Sequence, residues 1–312
     1  MRPAFVGIDV AIAKGKHLPV SVCTWEEGRL LPQPLRRLDL VPPRGIGNAA
    51  SLDREALRQF ALDTNDYVAK LCDRLRLNPT RIGIDAPSAP RDWAIPRRAA
   101  EVALDRAGIS CFATPSADDF DQIRVKAQRH FAAGGAENCI PHANQIWMLA
   151  GFAIFEELSR MAPCLEVFPQ ATVRLMGAGQ IHKSMPGAVG DQLAAATPHV
   201  GWPLGAEGEN ALCEIAWGAP HDQLDAYLSA WVASLEESDR MAYGSPPKDA
   251  IWVPKILTVR RSPSAIRTPA IPNTRPSGTT PSRMVLCPAC GRKEFKRWPR
   301  GWDAHAAHAC RE

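Results

Sequence analysis

Three short apolar stretches of strand character each carry a carboxylate: Asp9 in VGIDVA, Asp85 in IGIDAP and Glu166 in LEVFP. An ionised acid in an apolar strand is expensive unless it is paired or binds a cation. One such acid is ordinarily a strand-end cap or half of a salt bridge. Three of them, in a chain that must also bury these strands, point to one shared cation pocket. The stretch PHDQLDAYLSAW (220–231) adds Asp222 and Asp225 at the head of an apolar helix, three residues apart and so on one face. First-turn acids also serve the helix dipole alone. Taken together, the oxygen ligands suit Mg²⁺ or Mn²⁺. Two such ions about 3.5–4 Å apart can clamp the attacking and leaving oxygens of a phosphodiester.

Around these acids the pattern alternates. AFVGIDVA (4–11), LPVSVCTW (18–25) and RLLPQPLRRLDLV (29–41) read as an antiparallel meander joined by KGKH and EEGR. Ser51 caps a helix that runs to about Leu77, where Asn78-Pro79 stops it. RIGIDAP (81–87) is the next strand. Pro96 opens a helix to Gly108, ISCFATP (109–115) is strand-like, and helices are expected over 117–131 and 142–161. CLEVFP (164–169) is a further buried strand, followed by helices near 170–177, 207–217 and 221–241. The result is an α/β layered domain with a mixed sheet, over residues 1–254.

From Pro254 the texture changes. Residues 255–283 are rich in Pro, Ser, Thr and Arg and read as a flexible linker. Residues 255–312 hold 12 Lys or Arg against 3 Asp or Glu, a charge of +9, so the net +4 leaves −5 on 1–254. A basic tail on a mildly acidic body is suited to a polyanion. No run of eighteen apolar residues occurs and the N-terminus reads as a strand, so no membrane span or leader is expected and the location is taken as cytoplasmic.

Nine cysteines divide into two groups. Cys23, Cys72, Cys111, Cys139, Cys164 and Cys213 are scattered among apolar neighbours and read as small buried side chains. Cys287, Cys290 and Cys310 cluster with His305 and His308 at residues 284–312. Cys287-Pro-Ala-Cys290-Gly is a knuckle, and the spacing C-x2-C-x14-H-x4-C gives one tetrahedral, structural Zn²⁺ four ligands in Cys287, Cys290, His305 and Cys310. His308 is the alternative to Cys310. Arg292, Lys293, Lys296, Arg297 and Arg300, interleaved with Phe295 and Trp298, form a basic and aromatic surface suited to phosphates and bases.

GIDVA, IDAPSAPR, EVFPQATVRLMG, the pair His182-Lys183 and HDQLDAYLSAWVA, in that order over about residues 4–245, resemble domain-of-unknown-function family 429, a family of predicted nucleases with an RNase H-like fold. HDQLDA also looks like the last-helix acid motif of RuvC-type Holliday-junction resolvases. The resemblance implies three antiparallel strands followed by parallel ones, with Asp9 on the first strand and Asp85 on the adjacent fourth. It implies that Asp9, Asp85, Asp222 and Asp225 hold two Mg²⁺ or Mn²⁺ ions. Glu166 stands as a fifth ligand or as an acid behind the ligands. Lys183, Arg91, Arg97 and Arg98 stand as phosphate contacts, and His182 as a group that orients water or transfers a proton.

The reading that follows is a metal-dependent nuclease acting on DNA or RNA, with a basic zinc finger aiding substrate binding. A non-cleaving nucleic-acid-binding adaptor on the same scaffold is the alternative. An enzyme of related topology acting on nucleotides or sugars is disfavoured, because GIDVAIAKGK lacks the glycine that sugar kinases of related topology place two residues after the aspartate.

Overall fold

The computed structural model describes residues 1–179, 185, 187–203, 205–256, 285–286 and 293–294. It divides into two units, Met1–Thr258 and Val259–Glu312. In the second unit, β8 (Val285–Leu286) and β9 (Lys293–Glu294) pair antiparallel; the 255–283 linker, apart from residues 255 and 256, and every expected zinc ligand lie outside the described residues.

The first unit opens with β1 (Arg2–Asp9), β2 (Val20–Glu26) and β3 (Arg29–Pro32). A single turn α1 (Gly47–Ala50) precedes the long helix α2 (Arg54–Leu75) and β4 (Leu77–Asp85). Then come α3 (Ala99–Arg106), α4 (Ala117–Ala132), α5 (Ala143–Leu158) and β5 (Cys164–Glu166). The remaining elements are α6 (Pro169–Leu175), α7 (Ala188–Val200), α8 (Gly205–Ile215), α9 (Pro220–Ser234), β6 (Arg240–Ser245) and β7 (Asp249–Pro254).

The five-stranded sheet has the order β3-β2-β1-β4-β5. β1 is antiparallel to β2 and parallel to β4, and β4 is parallel to β5. This is a mixed sheet flanked by helices. The last six residues of β1 are all buried, which is why the segment reads as a continuous apolar run. Alternation decides which layer each side chain enters. Val6 and Ile8 on β1, with Ile82 and Ile84 on β4, pack into one core with Leu57, Phe60, Val68 and Leu71 of α2 and Ile146 and Ile154 of α5. Phe5 and Cys23 face the other way, into a core with Leu224, Tyr227, Leu228 and Trp231 of α9 and with residues of α6, α7 and α8. The central sheet therefore lies between two helical layers, and α9 is buried along its length from Asp222 to Ser234.

Several expectations need correction. ISCFATP is not a strand: residues 110–115 are irregular, held by Arg97, just before α3, on the Cys111 carbonyl and by Glu101 of α3 on the Thr114 N–H. Asp53, not Ser51, caps α2 by accepting from the Ala56 N–H. That helix ends in left-handed Arg76, so Asn78-Pro79 lies inside β4. The last helix ends at Ser234, short of the expected 241, and a β6–β7 hairpin that the sequence reading lacks follows at 240–254. Helix α7, with Pro198 inside it, has no counterpart in the sequence reading. Cys23 and Cys72 are buried, but Cys139 and Cys213 are exposed. Burial pushes the Cys23 thiol up to about 12 and that of Cys72 to about 11, which makes both inert packing groups.

Candidate metal centre

The site is built by two copies of one tripeptide. Gly7-Ile8-Asp9 ends β1 and Gly83-Ile84-Asp85 ends β4, and the parallel ladder registers Gly7 with Gly83, Ile8 with Ile84 and Asp9 with Asp85. The isoleucines point to the α2/α5 core. Side chains two residues apart share a face, so each aspartate lies on the same face as its glycine, towards α9. At Gly7 an added Cβ would stand 1.9 Å from the Ala226 carbonyl oxygen and 2.3 Å from the Ala230 nitrogen. At Gly83 it would stand 2.2 Å from the Ser229 carbonyl oxygen. The glycines let the helix backbone rest directly on the two strands, and the small residues Ala226, Ser229, Ala230 and Ala233 form its contact stripe. Asp225, next to Ala226, is thereby carried to the strand ends.

Asp9, Asp85 and Asp225 each offer a carboxylate oxygen, and these oxygens lie within 4.8 Å of one another. Asp9 and Asp225 are buried and Asp85 is half-buried. Two unit charges at that separation repel by about 3–4 kcal/mol at an effective dielectric of about 20. A divalent cation is one group that would offset such repulsion. The all-oxygen donor set and its spacing fit a hard cation such as Mg²⁺ or Mn²⁺.

Asp222 is not part of that group. It is the third residue of α9, where its Oδ2 accepts from the Ala219 N–H at 3.2 Å, and Ala219 has no side chain to reciprocate. Its Oδ1 lies 2.9 Å from His221 Nε2, and its Oδ2 lies 3.9 Å from Lys16 Nζ. Burial works to raise its pKa, but the hydrogen bond and charge of His221, the Ala219 N–H and Lys16 outweigh it and hold it below the usual carboxylate range. The grouping that brings Asp225 to Asp9 and Asp85 does not include Asp222, and helix start at Pro220 gives Asp222 a capping place.

Glu166 also departs from expectation. It registers with Ile84, so it points to the face opposite Asp85. There it is buried, accepts from the Ser88 N–H at 3.0 Å and binds Arg98 through two hydrogen bonds of 2.8 Å. Arg98 also meets Asp249 Oδ1 at 3.1 Å. Desolvation pulls the Arg98 pKa down, but bonding and attraction to Glu166, then to Asp249 and Glu101, raise it above its ordinary value. Glu166 is thus half of a buried fork that ties β5 to α3 and β7, not a ligand. Arg97 and Arg91 are likewise committed. Arg97 pairs with Glu101 and Asp105, and Arg91 pairs with Asp119 at 2.7 Å and with the Thr114 carbonyl.

Lys183 and its neighbour His182 lie outside the described residues, as do Arg292, Lys296, Arg297, Trp298, Arg300, Cys287, Cys290, His305, His308 and Cys310. Lys293 is described only through its place in β9. Sequence reasoning missed the part that His221 and Lys16 take in holding Asp222, and only the HD pair at the head of α9 signals either.

The family model described as "Protein of unknown function (DUF429)" matches residues 38–249, about two thirds of the chain. The chain belongs to this family. The DUF429 match contains Asp85, Asp222 and Asp225, whereas Asp9 and the whole of the central strand β1 precede it. No curated protein and no solved structure matches this DUF429 chain.

Proposed function

We propose that this DUF429 protein is a divalent-metal-dependent nuclease on an RNase H-like scaffold, hydrolysing phosphodiester bonds in DNA or RNA. One observation carries the reading: acids at positions 9, 85 and 225, from two strands and a helix, converge to within 4.8 Å at one end of the sheet. Asp9, Asp85 and Asp225 are the residues that would hold Mg²⁺ or Mn²⁺. Bound there, the metal would polarise the phosphodiester and make water a better nucleophile. A second ion, expected from the family resemblance, would recruit Asp222 through an oxygen lone pair that the α9 cap does not use. The protein's own contribution is preorganisation, because the glycine contacts fix the three carboxylates relative to one another before any substrate arrives. His221, 2.9 Å from Asp222 through Nε2, helps to hold that acid in its place at the head of α9.

The C-terminal Cys and His spacing supports a structural Zn²⁺ held by Cys287, Cys290 and His305 with Cys310 or His308. The surrounding Arg and Lys residues would raise affinity for nucleic acid by tethering. The deciding experiment is incubation of the full chain with Mg²⁺ or Mn²⁺ and a panel of labelled DNA and RNA, with Asp9→Asn as control. Metal-dependent cleavage lost in that variant supports the reading. Binding without cleavage by the wild type would leave the adaptor alternative.

A further inference from the structure

We propose that Lys16, Arg36 and Arg44 form a seat for a second phosphate of the substrate backbone, beside the one at the acid triad; this rests on the nuclease reading. The first unit is acidic, and most of its cations near the site are spent. Arg37 pairs with Glu214 at 2.7 Å, Lys14 with Glu137, and Arg98 with Glu166. Among the described residues, Arg36 and Arg44 have no carboxylate within salt-bridge reach, and Lys16 has only Asp222, at 3.9 Å.

Arg36 and His17 meet at the half-buried Trp217, and Lys16 and Arg44 adjoin His17 as its chain neighbour and its bridge partner. Arg36 Cζ lies 3.8 Å from the Trp217 ring centroid, and the His17 ring lies 4.7 Å from it. His17 and Arg44 are partners in an antiparallel bridge. Trp217 is five residues before Asp222, and Lys16 touches Asp222, which lies one helical turn before Asp225. The cations therefore flank the triad instead of lying on a remote surface.

The arrangement is also held in place. The strap carrying Arg44 is pinned to the 16–18 segment by Gly45 N–H to the Lys16 carbonyl at 2.8 Å, and by Leu18 N–H to the Pro43 carbonyl at 2.9 Å. His17 Nδ1 meets the Pro42 carbonyl at 2.9 Å. Arg36 lies in a short 3-10 turn anchored by buried Leu35 on one side and by the Arg37–Glu214 pair on the other. Stacking on Trp217 orders the Arg36 guanidinium while its N–H groups stay open. A planar, preordered guanidinium is suited to the two oxygens of a phosphodiester.

The test measures affinity of the full chain for a fluorescein-labelled 20-nucleotide single-stranded DNA and the matching RNA in EDTA, over a range of NaCl concentrations. Each phosphate contact to a single strand contributes about 0.7 to the slope of log K against log salt. The Arg36→Ala/Arg44→Ala double variant should flatten the slope by about 0.7, the contribution of one phosphate, and each single variant by less, with unchanged melting temperatures. Arg36→Lys should restore most of the slope. Arg74→Ala, on α2 just before the start of β4 and so at the other end of the sheet, should not change it. An unchanged slope in the double variant, or a wild type that binds neither oligonucleotide, overturns the seat. The nuclease reading fails separately. Slope changes as stated, without metal-dependent cleavage, would remove the enzyme and keep the seat; cleavage with an unchanged slope would do the reverse.

Discussion

Asp9 and Asp85 are partners across the parallel β1–β4 ladder, each the last residue of its strand and each two residues after a glycine that touches α9. The pair sets two carboxylates side by side at the C-terminal ends of two interior strands, and Asp225 brings a third within 4.8 Å.

The three members of the triad should be separable from Asp222. Asp9→Asn, Asp85→Asn and Asp225→Asn should each abolish Mn²⁺ binding measured by electron paramagnetic resonance. Each should leave the melting temperature unchanged or raised, since like charges are relieved. Asp222→Asn should keep Mn²⁺ bound. Loss of Mn²⁺ in Asp222→Asn with retention in Asp225→Asn would reverse the two roles.

Asp222 should report through stability and pH. Its pKa is lowered in the folded state, so the folded chain binds its proton less readily than the unfolded chain. Its contribution is full above the ordinary aspartate value near 3.9 and drains away as pH falls through the depressed folded value. Asp222→Asn should be less stable than wild type by about 1 kcal/mol at pH 7. That gap should hold down to about pH 5 and close below about pH 4. Urea denaturation across this range checks it, and a gap that widens in acid would contradict the sign.

The glycines should be as sensitive as the acids. Gly7→Ala or Gly83→Ala drives a methyl into helix backbone, where neither side can move aside like a flexible side chain. A loss of about 1–3 kcal/mol or more is expected, together with loss of Mn²⁺ affinity as α9 lifts Asp225 from the strand ends. Urea titration and metal binding on the same samples test both parts. Alanine tolerated at both positions would mean that the helix does not set the site.

The Arg98–Glu166 fork should be structural. Arg98→Ala leaves a buried carboxylate without its partner and should cost about 3–5 kcal/mol. A double Arg98→Met/Glu166→Leu variant should recover much of that and, if the protein cleaves, retain cleavage. A double variant that is stable yet inactive would return Glu166 to the chemistry.

The zinc proposal rests on spacing in the sequence. Cys287→Ser should lose about one equivalent of zinc by elemental analysis. Deletion of 284–312 should weaken nucleic-acid binding and flatten its salt dependence.

What the sequence disclosed follows from period and burial. Asp9 and Asp85 stood out because an acid at the end of an apolar run is costly wherever the strand lies. Asp222 and Asp225 could not be told apart, since residues three apart share a helix face. Only the start of α9 at Pro220 makes one a cap and the other a member of the triad. Glu166 looked like the other two acids because strand pattern does not disclose register. Pairing with Ile84 put it on the opposite face. The last helix was read too long because Leu235 keeps the spacing of Leu224, Leu228 and Trp231, and the chain turns extended there without a glycine to mark the stop.

The β6–β7 hairpin bears on where the body can be cut. Val253 and Ile251 are buried, Trp252 bridges to Val167 beside the edge strand β5, and Asp249 accepts from the Ala99 N–H at the head of α3 while holding Arg98. A fragment designed to stop where the last helix stops would strip the cover from an edge strand and undo the anchoring of α3 in the same cut. Expression boundaries for the isolated body therefore belong after residue 256, about thirty residues beyond the last acid of the triad.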